Sequence, residues 1–112
     1  MRVRVTFAFV ALFAVWIWLD GRAQIGSPVV SGAHRFEKVT DGVYYATASG
    51  TMNVGANSPI LVNADETIVI DSETSPAAAR ALVADLKAIT DKPVRYVIDT
   101  HYHYDHAFGN RR

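Results

Sequence analysis

The stretch VRYVIDTHYHYDHAFGN, Val94 to Asn110, decides how this chain is read. It runs from an apolar, strand-like segment, Val94 to Ile98, directly into four strong metal ligands: His101, His103, Asp105 and His106. Imidazole and carboxylate donors suit zinc first and iron or manganese second. In an extended chain alternate side chains share a face and lie roughly 6.5 to 7 Å apart. His101 and His103 can therefore converge on one ion while Tyr102 and Tyr104 face away. A turn after Tyr104 would swing Asp105 and His106 toward a second point, so two adjacent ions fit the pattern. Such a site acidifies a bound water to a pKa of roughly 7 and polarises a carbonyl or phosphoryl oxygen, which makes hydrolysis the natural reaction class. The bland alternative is a polar strand end with solvated histidines. Three of the four histidines of the chain lie in this run at ligand spacing, and that favours the metal. His34 stands alone and reads as exposed or locally hydrogen-bonded.

Upstream, Ser75 can cap a helix, Pro76 suits its first turn, and Ala79, Leu82, Val83, Leu86 and Ile89 recur at helical spacing. Thr90 to Pro93 ends it, and Val94 to Ile98 is expected as a buried strand. With the apolar strand Thr67 to Ile70 before the helix, the three form a strand-helix-strand unit. Such crossovers are right-handed and leave both strands parallel, with their carboxyl ends on one sheet edge. Ligand sites gather beyond those ends. Asp71 should thus lie near the histidines, either accepting a hydrogen bond from the motif loop or a ligand imidazole and fixing its tautomer, or serving as a helix-entry residue before Ser72-Glu73-Thr74. Asp99 suits loop capping. Tyr102 and Tyr104 are expected to pack beneath the metal loop, with Phe108 inward and Gly109-Asn110 turning the backbone close to the site. Further upstream, Phe36 to Val39 and Val43 to Ala48 flank Asp41-Gly42 as a hairpin, and Gly50 to Asn57 connects to a strand at Ile60 to Asn63. No repeat or low-complexity tract appears.

At the amino terminus Arg2 and Arg4 precede an apolar run from Val5 to Leu19, and Gly21 and Ala23 are small residues placed for cleavage. Residues 1–23 are read as a signal peptide, 24–33 as a flexible lead-in and 34–112 as the folded part. The expected location is exported, periplasmic or secreted. The alternative is a membrane anchor with Trp16 and Trp18 at the interface, although the run is shorter than the about 20 residues of a spanning helix. The absence of cysteine excludes disulfides, thiolate ligands and a lipid-modified cysteine. The full chain has 11 basic and 11 acidic residues, and removing 1–23 leaves 8 against 10. That mildly acidic balance offers no electrostatic footprint for nucleic acid. Membrane contact is expected only through the signal segment during export.

The run His-x-His-x-Asp-His followed by Gly109-Asn110 resembles the signature of the metallo-β-lactamase-fold superfamily. The likeness extends to Val43-Tyr44-Tyr45, Asn53-Val54-Gly55, the strand ending in Asp71, and Val97-Ile98-Asp99-Thr100, and so covers His34 to Asn110. An intact His106 is more like the thioesterase, lactonase and glyoxalase II-like group than the β-lactamases. The resemblance implies an α/β fold: half of an αββα sandwich, a β meander followed by β-α-β. It implies that His101 and His103 hold one metal and Asp105 and His106 a second, zinc in both positions of the complete protein. Asp105 is the catalytic candidate, orienting a metal-bound hydroxide or shuttling its proton. The substrate would be a small molecule, an ester, thioester, lactone or lactam, with phosphodiesters open. Domains of this kind are longer, and their later half supplies a further histidine to each metal and a bridging aspartate. The chain is therefore expected to be the amino-terminal part of a longer enzyme. The alternative is a truncated, non-catalytic exported product that at most binds metal.

Overall fold

The computed structural model describes residues 26–111. The signal-peptide and anchor readings of 1–23 lie outside the described residues, and no described helix is long and apolar enough to cross a membrane.

The hairpin expected at Asp41-Gly42 starts the architecture. Thr40 pairs with Val43 across these two residues, Gly42 takes a left-handed φ of 72°, and the register shifts between Lys38 and Thr40. A glycine there adopts that conformation without a Cβ penalty, and the bulge adds twist. From this hairpin one sheet grows in chain order: β1 (Val29–Ser31), β2 (His34–Thr40), β3 (Val43–Ala48), β4 (Ser58–Val62), β5 (Thr67–Ile70) and β6 (Val94–Ile98). Neighbours are antiparallel up to β5, and β5 and β6 are parallel with Val69 opposite Val97 and Ile70 opposite Ile98. Helix α1 (Pro76–Asp85) makes the crossover, with Ser75 Oγ accepting from the Ala78 amide at 3.2 Å and Pro76 in its first turn. A 3-10 turn, Leu86–Ala88, extends it, and the motif ends in α2 (Tyr104–Ala107) and a 3-10 turn, Phe108–Asn110.

The core lies between one sheet face and α1, where Phe36, Ala46, Ile60 and Val69 meet Leu82 and Leu86. Alternation along strands and helical spacing along α1 put these residues on facing surfaces.

Four expectations need correction. Val29–Ser31, read as part of a flexible lead-in, is a strand paired to β2 through Val29 with Phe36 and Ser31 with His34. A strand this short is selected by the open edge of its neighbour, and its exposed valines give no alternation to read. The helical stripe passes through Ala78, Leu82, Asp85 and Leu86, with Ala79 only partly covered and Val83 exposed. Burial of Asp85, held by partners far off in sequence, turns the stripe. β6 is not a buried strand: Tyr96, Val97 and Ile98 are exposed and Val94 is half-covered. It is the edge strand, with β5 on one side only among the described residues, and an apolar run does not reveal whether a neighbour covers it. Tyr102 and Tyr104 do not pack beneath the motif, being 85% and 62% exposed, and Phe108 lies partly open against Tyr104 and the Arg111 guanidinium. Regular strand ends at Ile98, so period-two alternation does not extend through residues 99–103.

Candidate metal centre

Parallel β5 and β6 bring Asp71 and the motif to one sheet edge, as the crossover requires. The Asp71 amide donates to Ile98 O at 2.9 Å, and the chain then turns through Asp71 and Glu73, both left-handed at φ 66° and 76°. In that turn the Asp71 carboxylate faces the motif. Oδ1 accepts from the Thr100 amide at 2.7 Å, Thr100 Oγ1 donates to the same carboxylate at 2.9 and 3.0 Å, and His106 Nδ1–H donates to Oδ2 at 2.8 Å. Because the Thr100 hydroxyl proton points at Asp71, its oxygen is left to accept from His101 Nδ1–H at 3.0 Å. One carboxylate thus sets two imidazoles, His106 directly and His101 through Thr100, with Nδ1 protonated and Nε2 bare. In the sequence Thr100 stands only as the end of the Val97-Ile98-Asp99-Thr100 stretch, and its position immediately before the first histidine is the available signal for this role.

The remaining donor atoms face one another. His101 Nε2 lies 2.9 Å from His103 Nδ1, and His106 Nε2 lies 3.3 Å from Asp105 Oδ2. The rings of His101 and His106 are 4.2 Å apart between centroids, so the two pairs are adjacent. Among the described residues no three His, Cys, Asp or Glu side chains are gathered around a single point, and the donors come as pairs. Two ligands on a tetrahedral zinc with bonds of about 2.0 to 2.1 Å stand about 3.3 Å apart. Both pairs lie close to that bite. A proton or a cation between the facing atoms accounts for these distances, and imidazole nitrogen with carboxylate oxygen is a donor set that fits a borderline metal ion.

Charge follows the same contacts. The hydrogen bond to Asp71 raises the His106 pKa above its ordinary value, against the smaller effect of burial, with the charge of Asp105 adding to the rise. Burial pushes Asp71 upward, but the Thr100 amide and His106 outweigh it and hold its carboxyl below the usual range. His34 is fully buried, not exposed. Its Nδ1–H donates to Asp85 Oδ2 at 2.8 Å, across 51 residues of sequence. Burial lowers its pKa, while Glu73 and Asp85 together raise it above the ordinary value. A raised histidine stabilises the fold fully below its unfolded pKa of about 6.5 and loses that contribution as pH climbs through the folded value; a lowered aspartate contributes above about 3.9 and loses it as pH falls. Thermal unfolding followed from pH 3 to pH 9 is expected to show a maximum between these limits, with the alkaline decline flattened in His34→Gln. An alkaline limb equal in both proteins contradicts this assignment.

Gly109 closes the site from behind. Its amide donates to Glu73 O at 3.0 Å, while the Ser72 amide and hydroxyl both donate to His106 O, at 2.7 and 3.2 Å. A Cβ on Gly109 would run into the Ser72 carbonyl and stand 2.9 Å from Ala79 Cβ. Gly109→Ala is expected to cost about 1 to 3 kcal/mol and to push the motif off Asp71. Denaturant unfolding measures the first effect, and a zinc titration of the folded variant measures the second. The Asn110 side-chain amide donates to the Asp99 carboxylate, tying the two ends of the motif loop.

The family model of the metallo-beta-lactamase superfamily matches residues 52–112. No curated protein matches the chain. A metallo beta lactamase structure from Erythrobacter litoralis, with beta mercaptoethanol in the active site, is similar over 75% of this chain and 39% of its own, at 27% identity and a TM-score of 0.63. The metallo-beta-lactamase FIM-1 from Pseudomonas aeruginosa, in the mono-zinc form, is similar over 71% of this chain and 37% of its own, at 25% identity and a TM-score of 0.60. This chain spans under two-fifths of the length of either structure. Matched over more than half of its residues by the family model, and similar in fold to these structures, the chain belongs to the metallo-beta-lactamase superfamily.

Proposed function

We propose that this chain supplies the His101–His103 and Asp105–His106 pairs of a two-zinc centre in an exported metal-dependent hydrolase of small esters, thioesters, lactones or lactams. The observation that carries this reading is the pairing of ligand atoms at 2.9 and 3.3 Å, with Asp71 orienting two of the imidazoles, His106 directly and His101 through Thr100. When bound, zinc acidifies a coordinated water to a pKa of about 7 and polarises the substrate oxygen. In this role His101 presents Nε2, His103 Nδ1 and His106 Nε2, while Asp71 and Thr100 keep the first and last oriented. Asp105, partly open to solvent, is the group to orient the attacking water and take its proton. Tyr102 and Tyr104 stand on the open side of the motif, where an acyl or ring portion of the substrate would approach. Residues 1–23 would direct export.

A second reading is favoured by one observation, that the described donors form pairs and no triad. Under it the chain binds metal without turnover. Assay of the zinc-loaded chain against a panel of activated esters, thioesters, lactones and lactams separates the two. Hydrolysis that stops with a chelator and in Asp105→Ala supports the hydrolase; stoichiometric zinc binding with no turnover leaves the chain a metal-binding product.

A further inference from the structure

Beneath the Asp71–Glu73 turn lies a second group of charged side chains that no step of the proposed chemistry uses. Glu73 is fully buried. Its Oε1 accepts from Ser58 Oγ at 2.9 Å and lies 3.6 Å from His34 Nε2, too long for a hydrogen bond but within ion-pair range. His34 Nδ1–H meets Asp85, which also accepts from the Ala33 amide at 2.9 Å. Among the described residues His34 Nε2 and Glu73 Oε2 have no hydrogen-bond partner, so the 3.6 Å approach of His34 Nε2 to Glu73 Oε1 joins the Asp85 and Ser58 hydrogen bonds in offsetting the burial of the two side chains. Breaking such a pair by removing one partner leaves an uncompensated buried charge.

We infer that His34 is a positioning residue for the metal centre, acting through Glu73 on the left-handed turn that carries Asp71. The path is continuous. β2 holds His34, His34 holds the Glu73 carboxylate down in the core, and the Glu73 backbone is thereby kept at φ 76°, a conformation a non-glycine residue adopts only when its surroundings impose it. From the same turn Glu73 O accepts from Gly109, Ser72 N donates to His106 O, and Asp71 reaches His106 Nδ1 and Thr100. A turn released from below can relax away from the motif, and the first contact to loosen is the one that fixes the His106 tautomer. This inference rests on the proposed function for its consequence, but its geometry can be read without metal.

The test uses the full 112-residue chain labelled with nitrogen-15, in which the His106 ring shifts report which nitrogen carries the proton. At a pH above the raised pKa of His106, a single Nδ1-protonated form is expected in the unsubstituted chain. In His34→Gln the shifts are expected to move toward a mixture of tautomers, and the affinity for cobalt(II), a spectroscopic substitute for zinc, to fall about tenfold. Because a lone buried Glu73 endangers folding, the double variant His34→Phe with Glu73→Met gives a second arm: an apolar pair of similar size satisfies a purely structural role. Mixed tautomers in that folded double variant support the positioning role. Native His106 shifts in either folded variant overturn it. A chain that binds no cobalt(II) but shows these shifts defeats the proposed function and leaves the positioning intact; native shifts with intact metal binding do the reverse.

Discussion

Asp71→Asn is expected to weaken zinc retention by about 10- to 100-fold, the range seen when the partner that orients a metal-bound histidine is removed. The substitution is nearly isosteric, so its effect is one of hydrogen-bond polarity. An asparagine has one acceptor oxygen and one donor nitrogen, whereas the Asp71 carboxylate accepts at both oxygens, from Thr100 and from His106. The Thr100 amide can only donate, so the asparagine oxygen must stay there and the NH2 must face His106. His106 then accepts at Nδ1 and carries its proton on Nε2, the atom that lies 3.3 Å from Asp105 Oδ2. One donor pair is lost although no ligand has been changed. Zinc titration of the folded variant checks this; zinc content equal to that of the unsubstituted chain removes Asp71 from the site.

Phe36→Ala is expected to lower stability by about 3 to 5 kcal/mol. Phe36 is almost wholly buried at the centre of the cluster formed with Ala46, Ile60, Val69, Leu82 and Leu86, and its ring stacks at 6.2 Å on the buried imidazole of His34. Truncation removes the transfer free energy of the ring and leaves a cavity that the sheet on one side and the helix on the other cannot close. Small domains hold only about 5 to 15 kcal/mol in total, so the variant should unfold at far lower denaturant. A midpoint within experimental error of the unsubstituted chain would mean that the sheet and α1 do not pack through Phe36.

Features with local causes were legible in the sequence. Asp41-Gly42 sets its own turn, Ser75-Pro76 starts its own helix, and the handedness of a crossover places Asp71 beside the histidines without knowledge of any side-chain contact. What escaped is decided by partners distant in sequence. His34 looks like an isolated surface histidine until Asp85, 51 residues on, and Glu73 fold around it. Glu73 in a polar stretch gives no sign of being buried, because its burial is balanced by a pair that only the tertiary fold assembles. Val29–Ser31 is a strand because β2 offers an edge, and Val94 to Ile98 has the composition of a buried strand whether or not a neighbour covers it. Tyr102 and Tyr104 follow the backbone of an irregular loop and a short helix, where strand alternation has no force.

His101, His103, Asp105 and His106 are expected to bind metal through the atoms that face one another. The most direct measurement is a zinc titration of the full chain followed by nitrogen-15 shifts of the three motif imidazoles. Zinc is expected to move His101 at Nε2, His103 at Nδ1 and His106 at Nε2, and to leave His34 unmoved. Zinc that shifts none of these nitrogens, or moves His34 in step with them, would contradict this.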